Sequence, residues 1–315
     1  MKIFKIIGWT ILSCALVFMA GAFTIYPERY INCCFKGFAL WAECVAPSLF
    51  PFMVITLIFI KTGIAEKAAL PLKKVTGFFG LPPAAAVCFV MSIFSGYPAG
   101  SRAVAEFYDS GAINERDCKK LSALCSTSGP LFIIGSVGVK MLDDKSAGWK
   151  ILLAHLISVL VIALILCLIT RKGEKREYRR SAQDKNVLYN SFYGSVISVC
   201  VAGGFIAFFC VAGQIAQDFN ILLPLEKLLC LFLDEAAASA VCGGLIEATS
   251  GCRALSATGA ELTLPLAGFL ITFGGLSILL QQLCYLIKAR INPLKFIAVK
   301  FVQGLGCFAI LLLFQ

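Results

Sequence analysis

Charged residues are scarce in this sequence of 315 residues: Asp, Glu, Lys and Arg make up 15% of it, against roughly 25% in soluble domains. Histidine is scarcer still, because His155 is the only one. A lone histidine in an apolar segment is more often structural than catalytic. The sequence has no HExxH zinc motif, and no Ser–His or paired intramembrane aspartate arrangement is evident. These absences argue against an intramembrane enzyme, so we expect a protein that is not an enzyme and needs no cofactor.

CxxC pairs are also absent, although the chain has 15 cysteines. Most of them lie inside apolar segments, where a free cysteine behaves as a small buried hydrophobe. We therefore predict cysteines that serve in packing, with neither disulfide bonds nor a metal site.

Apolar residues are in excess, at 59% of the chain, and the mean hydropathy is +0.87. Mostly apolar runs, each long enough or nearly so to cross a ~30 Å hydrocarbon core as a helix, cover residues 3–25, 45–60, 148–170, 193–216, 264–287 and 296–314. No strand-like alternation appears, and helices satisfy their own backbone in lipid. The composition therefore predicts an all-α membrane protein surrounded by a lipid bilayer.

The N-terminus admits two interpretations. Lysines followed by an apolar run and a small-residue site at residues 20–22 resemble a cleavable signal peptide. The apolar run is longer than is usual in such peptides, and many spans follow it. We therefore expect residues 1–30 to form a retained N-terminal transmembrane helix.

The formal charge of +10 does not indicate a nucleic-acid partner, because the basic residues lie in short loops between spans. Basic loops face the cytoplasm in membrane proteins. On this rule residues 171–187, which hold seven Lys/Arg, form a cytoplasmic basic loop, and so do the loops that contain Lys119 and Arg290. Residues 217–235 hold four acidic residues and one lysine, so they should lie outside.

The chain contains a weak internal repeat. LPLKKVTGFF at residues 70–79 resembles LPLEKLLCLF at 223–232, and AAAVC at 84–88 is echoed by ASAVC at 238–242. We expect a first repeat over 31–170 and a second over 188–315. The first LPLxK element is basic and the second lies in an acidic loop, so the two repeats should enter the membrane from opposite sides. Such inverted repeats are typical of secondary transporters.

Four apolar segments are interrupted by Gly, Ser, Thr or Pro. Ser-Gly pairs predict the tips of two re-entrant hairpins, and two Gly-interrupted spans predict broken helices. Backbone that leaves a helix at membrane depth must be buried in protein or line a wet cavity, although small residues also permit close helix packing. The candidate solute-binding residues are those at the four breaks: Ser95, Gly96, Tyr97, Pro98, Gly100, Arg102, Ser126, Thr127, Ser128, Gly129, Glu247, Thr249, Ser250, Gly251, Arg253, Thr272, Gly274 and Gly275.

Three of these candidates carry charge, which is costly inside a membrane and indicates a functional group. Glu247 could bind a coupling cation or proton, or it could pair structurally with Arg102 or Arg253. The two arginines could meet two carboxylates of one solute, or they could extend to the membrane surface. Gln281 and Gln282 are weaker candidates.

The stretches FSGYPAGSRAVAEFYDSGAI and LCSTSGPLFIIGSVG, with GLIEATSGC in the second half, resemble the YlbJ family of sporulation integral membrane proteins. The resemblance is strong at residues 84–140 and looser over most of the chain. It implies a nucleoside-recognition ("Gate") domain and a fold like that of concentrative nucleoside transporters, with inverted repeats. It also implies a role in moving the dianion dipicolinate during endospore formation, in the cytoplasmic membrane or the outer forespore membrane.

Other functions remain open at this point. A nucleoside or other small-metabolite transporter would use the same Gate domain. A membrane scaffold in sporulation, which transports nothing, would have no need of paired helix breaks. A homo-oligomer is compatible with a transporter-like fold.

Overall fold

The computed structural model describes residues 2–64, 67, 70–109, 111, 113–169 and 186–314, and all regular structure in those residues is helical. Two π-helical segments cover Trp41–Val45 and Phe132–Met141. The α-helices are α1 (Lys2–Ile25), α2 (Pro27–Leu40), α3 (Ala46–Lys61), α4 (Lys73–Phe78), α5 (Ala84–Ser95), α6 (Tyr97–Asp109), α7 (Glu115–Leu124), α8 (Lys145–Ile169), α9 (Val187–Asp218), α10 (Leu223–Leu229), α11 (Glu235–Ile246), α12 (Ala248–Ser256), α13 (Thr263–Phe273), α14 (Gly275–Leu286) and α15 (Pro293–Leu312).

Six helical stretches of the described chain are long and apolar enough to cross a membrane: Gly8–Ile25, Pro27–Lys61, Lys145–Ile169, Val187–Asp218, Thr263–Ala289 and Pro293–Leu312. Each contains most or all of one of the six apolar runs, so these six predicted spans are confirmed. Large apolar side chains on their outer faces are exposed, as Val17 and Leu168 illustrate. An exposed apolar surface along long helices indicates a lipid bilayer environment.

The sequence separates a partly amphipathic segment, 31–46, from a following span, whereas the structure joins them into one helix, Pro27–Lys61. Pro47 lacks the N–H that would bond to the carbonyl of Glu43. A π-helical turn at Trp41–Val45 accommodates this proline, and Lys140 Nζ donates to the Glu43 carbonyl at 2.6 Å. In the second half the sequence likewise separates segment 188–198 from a span at 199–216, and α9 covers both without a break.

The two long helices pack against each other in opposite directions. Arg29 pairs with Asp218, Trp41 Nε1 donates to the Val199 carbonyl at 2.9 Å, and the Phe50 ring lies 6.3 Å from the Phe192 ring. The residue number rises along one helix as it falls along the other. The long helices are therefore antiparallel neighbours.

Residues 84–109 form the first predicted hairpin. Helix α5 ends at Gly96, which has φ +77°, a conformation that glycine adopts readily. Helix α6 then packs back along α5. A Cβ on Gly100 would lie 2.7 Å from the Ser92 Cβ and 2.2 Å from the Cys125 carbonyl oxygen, so the two arms touch where glycine leaves room.

Residues 235–256 form the second hairpin, but its break differs from the predicted one. The non-helical residue is Glu247, with φ −133° and ψ 105°, and the predicted Ser250-Gly251 tip lies in the first turn of α12. The carboxylate of Glu247 caps that turn, which moves the break one turn earlier. Gly251 instead allows close contact, because a Cβ there would lie 2.2 Å from the Gly244 Cα.

Both predicted broken spans are present. Helix α7 ends at Leu124, the chain is non-helical over 126–129, and the π-helical segment follows. Gly274, with φ +94°, separates α13 from α14, and Gly275, the first residue of α14, has φ +63°. The elements thus occur in the same order twice: a long helix, a short helical turn at the LPL sequence, a hairpin, a broken span and a final helix. The LPL turns are the 3₁₀ helix Leu70–Leu72 and the start of α10. Most of the predicted loop 171–187 lies outside the described residues.

We expect Gly100→Ala to lower the thermal unfolding midpoint by several degrees. The added methyl group has no room beside Ser92 and Cys125, and overpacking costs about 1–3 kcal/mol. Tryptophan fluorescence of the detergent-solubilised protein measures the midpoint. Gly204→Ala is the matched control, because a Cβ there meets nothing within 4 Å. An equal midpoint for both variants would contradict close contact between the hairpin arms.

Candidate functional site

A cavity of about 40 Å³ lies where the two hairpin tips, the two broken spans and the two long helices meet. The long helices contribute apolar side chains. All other lining residues come from the tip or the first turns of the second helix of each hairpin and each broken span, never from the first helix. The lining residues are Val45, Leu49, Gly96, Tyr97, Pro98, Ser128, Phe132, Ala202, Ile206, Thr249, Ile278 and Gln281.

Each hairpin tip lies against the break of its own half. A Cβ on Gly129 would lie 3.3 Å from the Phe94 carbonyl oxygen, and one on Gly96 would lie 3.4 Å from the Gly129 nitrogen. In the second half a Cβ on Gly275 would lie 2.8 Å from the Gly244 carbonyl oxygen. Glycine at these positions lets backbone approach backbone, which places four helix interruptions around one point.

Side chains also join the breaks of the two halves. Tyr97 at the first hairpin tip donates through its hydroxyl to the carbonyl of Ile271 beside the second broken span. His155 on α8 accepts from the Ser128 N–H through Nε2 at 3.1 Å. Its Nδ1 therefore carries the proton and donates to Thr272 Oγ1 at 2.9 Å. This lone histidine has a structural role, because it connects the two broken spans.

Lys300 on α15 is completely buried. Its ammonium group donates to the Ser126 carbonyl at 2.9 Å and lies 4.9 Å from the centre of the Tyr97 ring. Neither partner is anionic, and none of the ion pairs between described residues includes Lys300. Burying a cation without a counter-ion is costly. We therefore infer that the Lys300 amine, which lies beside the first broken span, has a function.

Gln282 on α14 completes a polar network around the same break. Its Oε1 accepts from Ser126 Oγ at 2.5 Å and from Ser101 Oγ at 3.2 Å. Its Nε2 is buried and has no hydrogen-bond partner within the described residues. Gln281, one residue earlier, lines the cavity itself. The weaker glutamine candidates thus occupy central positions.

Glu247 is buried, and its carboxylate accepts hydrogen bonds from the N–H groups of Thr249 at 3.1 Å and Ser250 at 2.6 Å. It therefore caps the start of α12 and neutralises part of the positive end of that helix. Its described hydrogen bonds do not include either candidate arginine. The sequence offered a structural alternative in which Glu247 pairs with Arg102 or Arg253. The ion pairs between described residues join these arginines to Glu106 and Glu43 instead.

The two arginines lie six positions after their respective breaks, Gly96 and Glu247, and each meets the long helix of the other half. Arg102 pairs with Glu106 at 2.8 Å and donates to Ser198 Oγ at 3.2 Å. Arg253 pairs with Glu43 at 3.3 Å. Arg102 lies beside Leu57, so the two arginines meet regions of the first long helix roughly 20 Å apart. That separation prevents both from holding the two carboxylates of one small solute.

The predicted candidates thus fall into three groups. Gly96, Tyr97, Pro98, Ser128 and Thr249 line the cavity. A second group supports it through contacts or hydrogen bonds: Ser95 with Thr56, Thr127 with Ser92, Ser126 with Gln282, and Gly129, Glu247, Ser250, Thr272, Gly274 and Gly275 at the breaks. The third group, Gly100, Gly251, Arg102 and Arg253, lies further along the second arms of the hairpins.

Sequence reasoning missed Lys300 as a site residue. The signal was available, because Lys300 is the only charged residue in the apolar stretch 296–314, and an ionisable residue inside a span indicates function. The bridging role of His155 had no such signal, since its two partners are distant in sequence.

We expect Thr272→Val to destabilise the protein more than Thr272→Ser. Valine matches the shape of threonine but leaves the buried Nδ1–H of His155 without an acceptor, which costs about 1–3 kcal/mol. Serine retains the hydroxyl and loses only a methyl group, at about 1 kcal/mol. The unfolding midpoints of the two variants in detergent decide the matter. A larger loss for the serine variant would show that the hydrogen bond is unimportant.

No protein-family model matches the chain. The sporulation integral membrane protein YlbJ of Bacillus subtilis is 24% identical to it over 328 aligned residues, which cover 95% of this chain and 80% of the relative. The aligned region therefore extends over both halves of the chain. Together with the six apolar spans, it indicates that the chain is an integral membrane protein that is similar to YlbJ over nearly its whole length.

Proposed function

We propose that the protein transports a small anionic solute, dipicolinate, across a membrane during endospore formation. The observation that carries this proposal is the meeting of two hairpins and two broken spans around one cavity beside the unpaired ammonium group of Lys300. Helix breaks inside an apolar bundle occur where backbone lines a solute pathway. The similarity to YlbJ, a sporulation integral membrane protein, adds the link to sporulation.

We also infer that the two halves are an inverted repeat with a fold like that of nucleoside transporters. Three observations support this: the repeated order of elements, the antiparallel long helices, and the contact of each hairpin with the broken span of the other half. In the first such contact Tyr97 and Ser101 meet Ile271 and Gln282. In the second, α12 packs against the π-helical segment Phe132–Met141.

The electrostatics of the site favour an anion. The second helices of the hairpins and broken spans begin at the cavity, and the N-terminal end of a helix carries partial positive charge. Glu247 offsets this charge at α12, whereas α6 and α14 have no side-chain carboxylate cap among their described contacts. The Lys300 amine adds a hydrogen-bond donor, and an anion beside it would favour its positively charged form. One carboxylate of dipicolinate would meet this ammonium group, and the Nε2 of Gln282 offers a further donor.

The cavity has to enlarge during transport. Its volume of about 40 Å³ is far below the ~300–1,000 Å³ of ordinary ligand pockets. The tips of the hairpins line it, so their displacement would admit a solute. Binding of a coupling cation or proton at Glu247, and assembly into a homo-oligomer, belong to the same proposal.

We expect Lys300→Gln to reduce dipicolinate uptake at least tenfold. The substitution removes a desolvated charge, and a hydrogen bond to a charged group contributes about 1.5–3 kcal/mol. The measurement is uptake of labelled dipicolinate and labelled uridine into liposomes that contain the purified protein. Lys227→Gln on the exposed side of α10 removes the same charge elsewhere and should leave uptake unchanged.

Uridine uptake without dipicolinate uptake would favour the alternative nucleoside transporter and refute the anionic solute. Wild-type protein that takes up neither solute, although correctly inserted, would favour the sporulation scaffold. Undiminished dipicolinate uptake by Lys300→Gln would remove Lys300 from the site.

Arg102→Ala should weaken dipicolinate uptake much less than Lys300→Gln does, by about threefold or less. The Arg102 side chain is partly exposed and is paired with the half-exposed Glu106, and such pairs contribute about 0–1 kcal/mol. The same liposome assay measures the effect, with the amount of inserted protein as the reference. A loss as large as that of Lys300→Gln would place Arg102 on the transport pathway.

A further inference from the structure

A second cavity, of about 480 Å³, lies at one end of the bundle between α7, the end of α8 and the start of α15. Four cations line it, Lys119, Lys120, Arg290 and Lys295, and no described lining residue is acidic. The cavity shares no lining residue with the central cavity. Its chemistry is therefore independent of the proposed transport function.

Lys120 forms the buried part of this cavity. Its side chain is 2% exposed, and its Nζ has no hydrogen-bond partner within the described residues. A buried cation that lacks a partner is unfavourable, and an anion in the cavity would compensate it. Lys119, Arg290 and Lys295 are exposed, so the cavity has a buried cation at its base and three cations at its entrance.

Among the described residues, two acidic side chains lie close to this cavity in sequence, and each has its own contacts. Glu115 pairs with Lys119 at 2.7 Å, and this hydrogen bond, with a contribution from Arg290, lowers the pKa of Glu115. Asp117 forms a capping box with Asn114 at the start of α7. The described ion pairs include none of Lys120, Arg290 and Lys295, and only Arg290 of these three lies close enough to Glu115 to act on its pKa.

The position of the cavity indicates which anion it suits. Leu166 near the end of α8, and Phe296 and Val299 near the start of α15, form an apolar part of its wall. Both helices are apolar enough to cross the membrane, so the cavity lies where spans end and lipid headgroups begin. The basic loops at this end predict the cytoplasmic side, where anionic lipids are concentrated.

We propose that this cavity binds the phosphate group of an anionic phospholipid, with the phosphate at Lys120 and Lys295 and an acyl chain along Leu166 and Val299. Asn292 caps α15 by accepting from the Lys295 N–H at 3.1 Å. The positive end of that 20-residue helix therefore also lies beside the cavity and favours a phosphate.

The experiment is a lipid titration of the full-length protein in a neutral detergent, with the unfolding midpoint followed by tryptophan fluorescence. A ligand that binds only the folded state raises the midpoint as its concentration increases. We expect phosphatidylglycerol to stabilise the protein at a concentration at least about tenfold lower than phosphatidylcholine does.

Lys120→Gln and Lys295→Gln should each raise the required phosphatidylglycerol concentration about fivefold, since each cation near the membrane surface contributes about 1 kcal/mol. Lys295 is exposed, so its substitution does not threaten folding. Lys145→Gln is the matched control, because Lys145 is exposed at the opposite end of α8. That variant should behave as the wild type.

Three results would overturn the proposal. The first is equal stabilisation by phosphatidylglycerol and phosphatidylcholine. The second is an unchanged phosphatidylglycerol requirement in both cavity variants. The third is full stabilisation by millimolar inorganic phosphate, which would assign the cavity to a soluble phosphate instead of a lipid.

Discussion

Backbone groups that are released at a helix break must find hydrogen-bond partners inside an apolar bundle, and the architecture of this protein depends on that constraint. Ser92 satisfies the carbonyl of Cys125, and Lys300 satisfies that of Ser126. His155 accepts a hydrogen bond from the Ser128 N–H group. Glu247 serves the start of the second hairpin's returning helix. An unsatisfied group in such surroundings costs several kcal/mol, so these side chains make the breaks possible.

The partners that satisfy the breaks come from distant parts of the chain, which ties the site to the whole fold. His155 lies on α8 and Lys300 on α15, the final helices of the two halves. Both helices contact α13, and both send a polar side chain to the break of the first half. The final helices therefore supply the site with polar side chains in addition to supporting it by packing. A change at either helix reaches the cavity without touching its lining.

Much of the fold could be predicted from sequence because it depends on local composition. Apolar length gave the six spans, and Gly96 marked the first hairpin tip because only its φ permits that turn. The second tip was misplaced by one turn, since the sequence does not reveal that the Glu247 carboxylate caps its own helix. The separation of Arg102 from Arg253 was equally hidden, because it depends on which residues of the long helices each one meets. Lys300 stands out in the sequence as a lone charge in an apolar stretch, but its contact with Ser126, 174 positions earlier, could not be predicted.

Glycines in this fold serve in two ways: some allow helices to pack closely, and others allow the chain to turn. A Cβ on Gly37 would lie 2.7 Å from the Ala207 Cα, and one on Gly203 would lie 2.8 Å from the Trp41 ring. The two long helices are therefore closely packed. Gly100 in the first hairpin and Gly251 in the second allow the two arms to pack closely, so each hairpin forms one rigid unit. The chain changes direction at Gly96, Gly274 and Gly275, whose positive φ angles place the breaks between these closely packed segments. These contacts favour movement of each hairpin as one rigid unit against the two paired long helices.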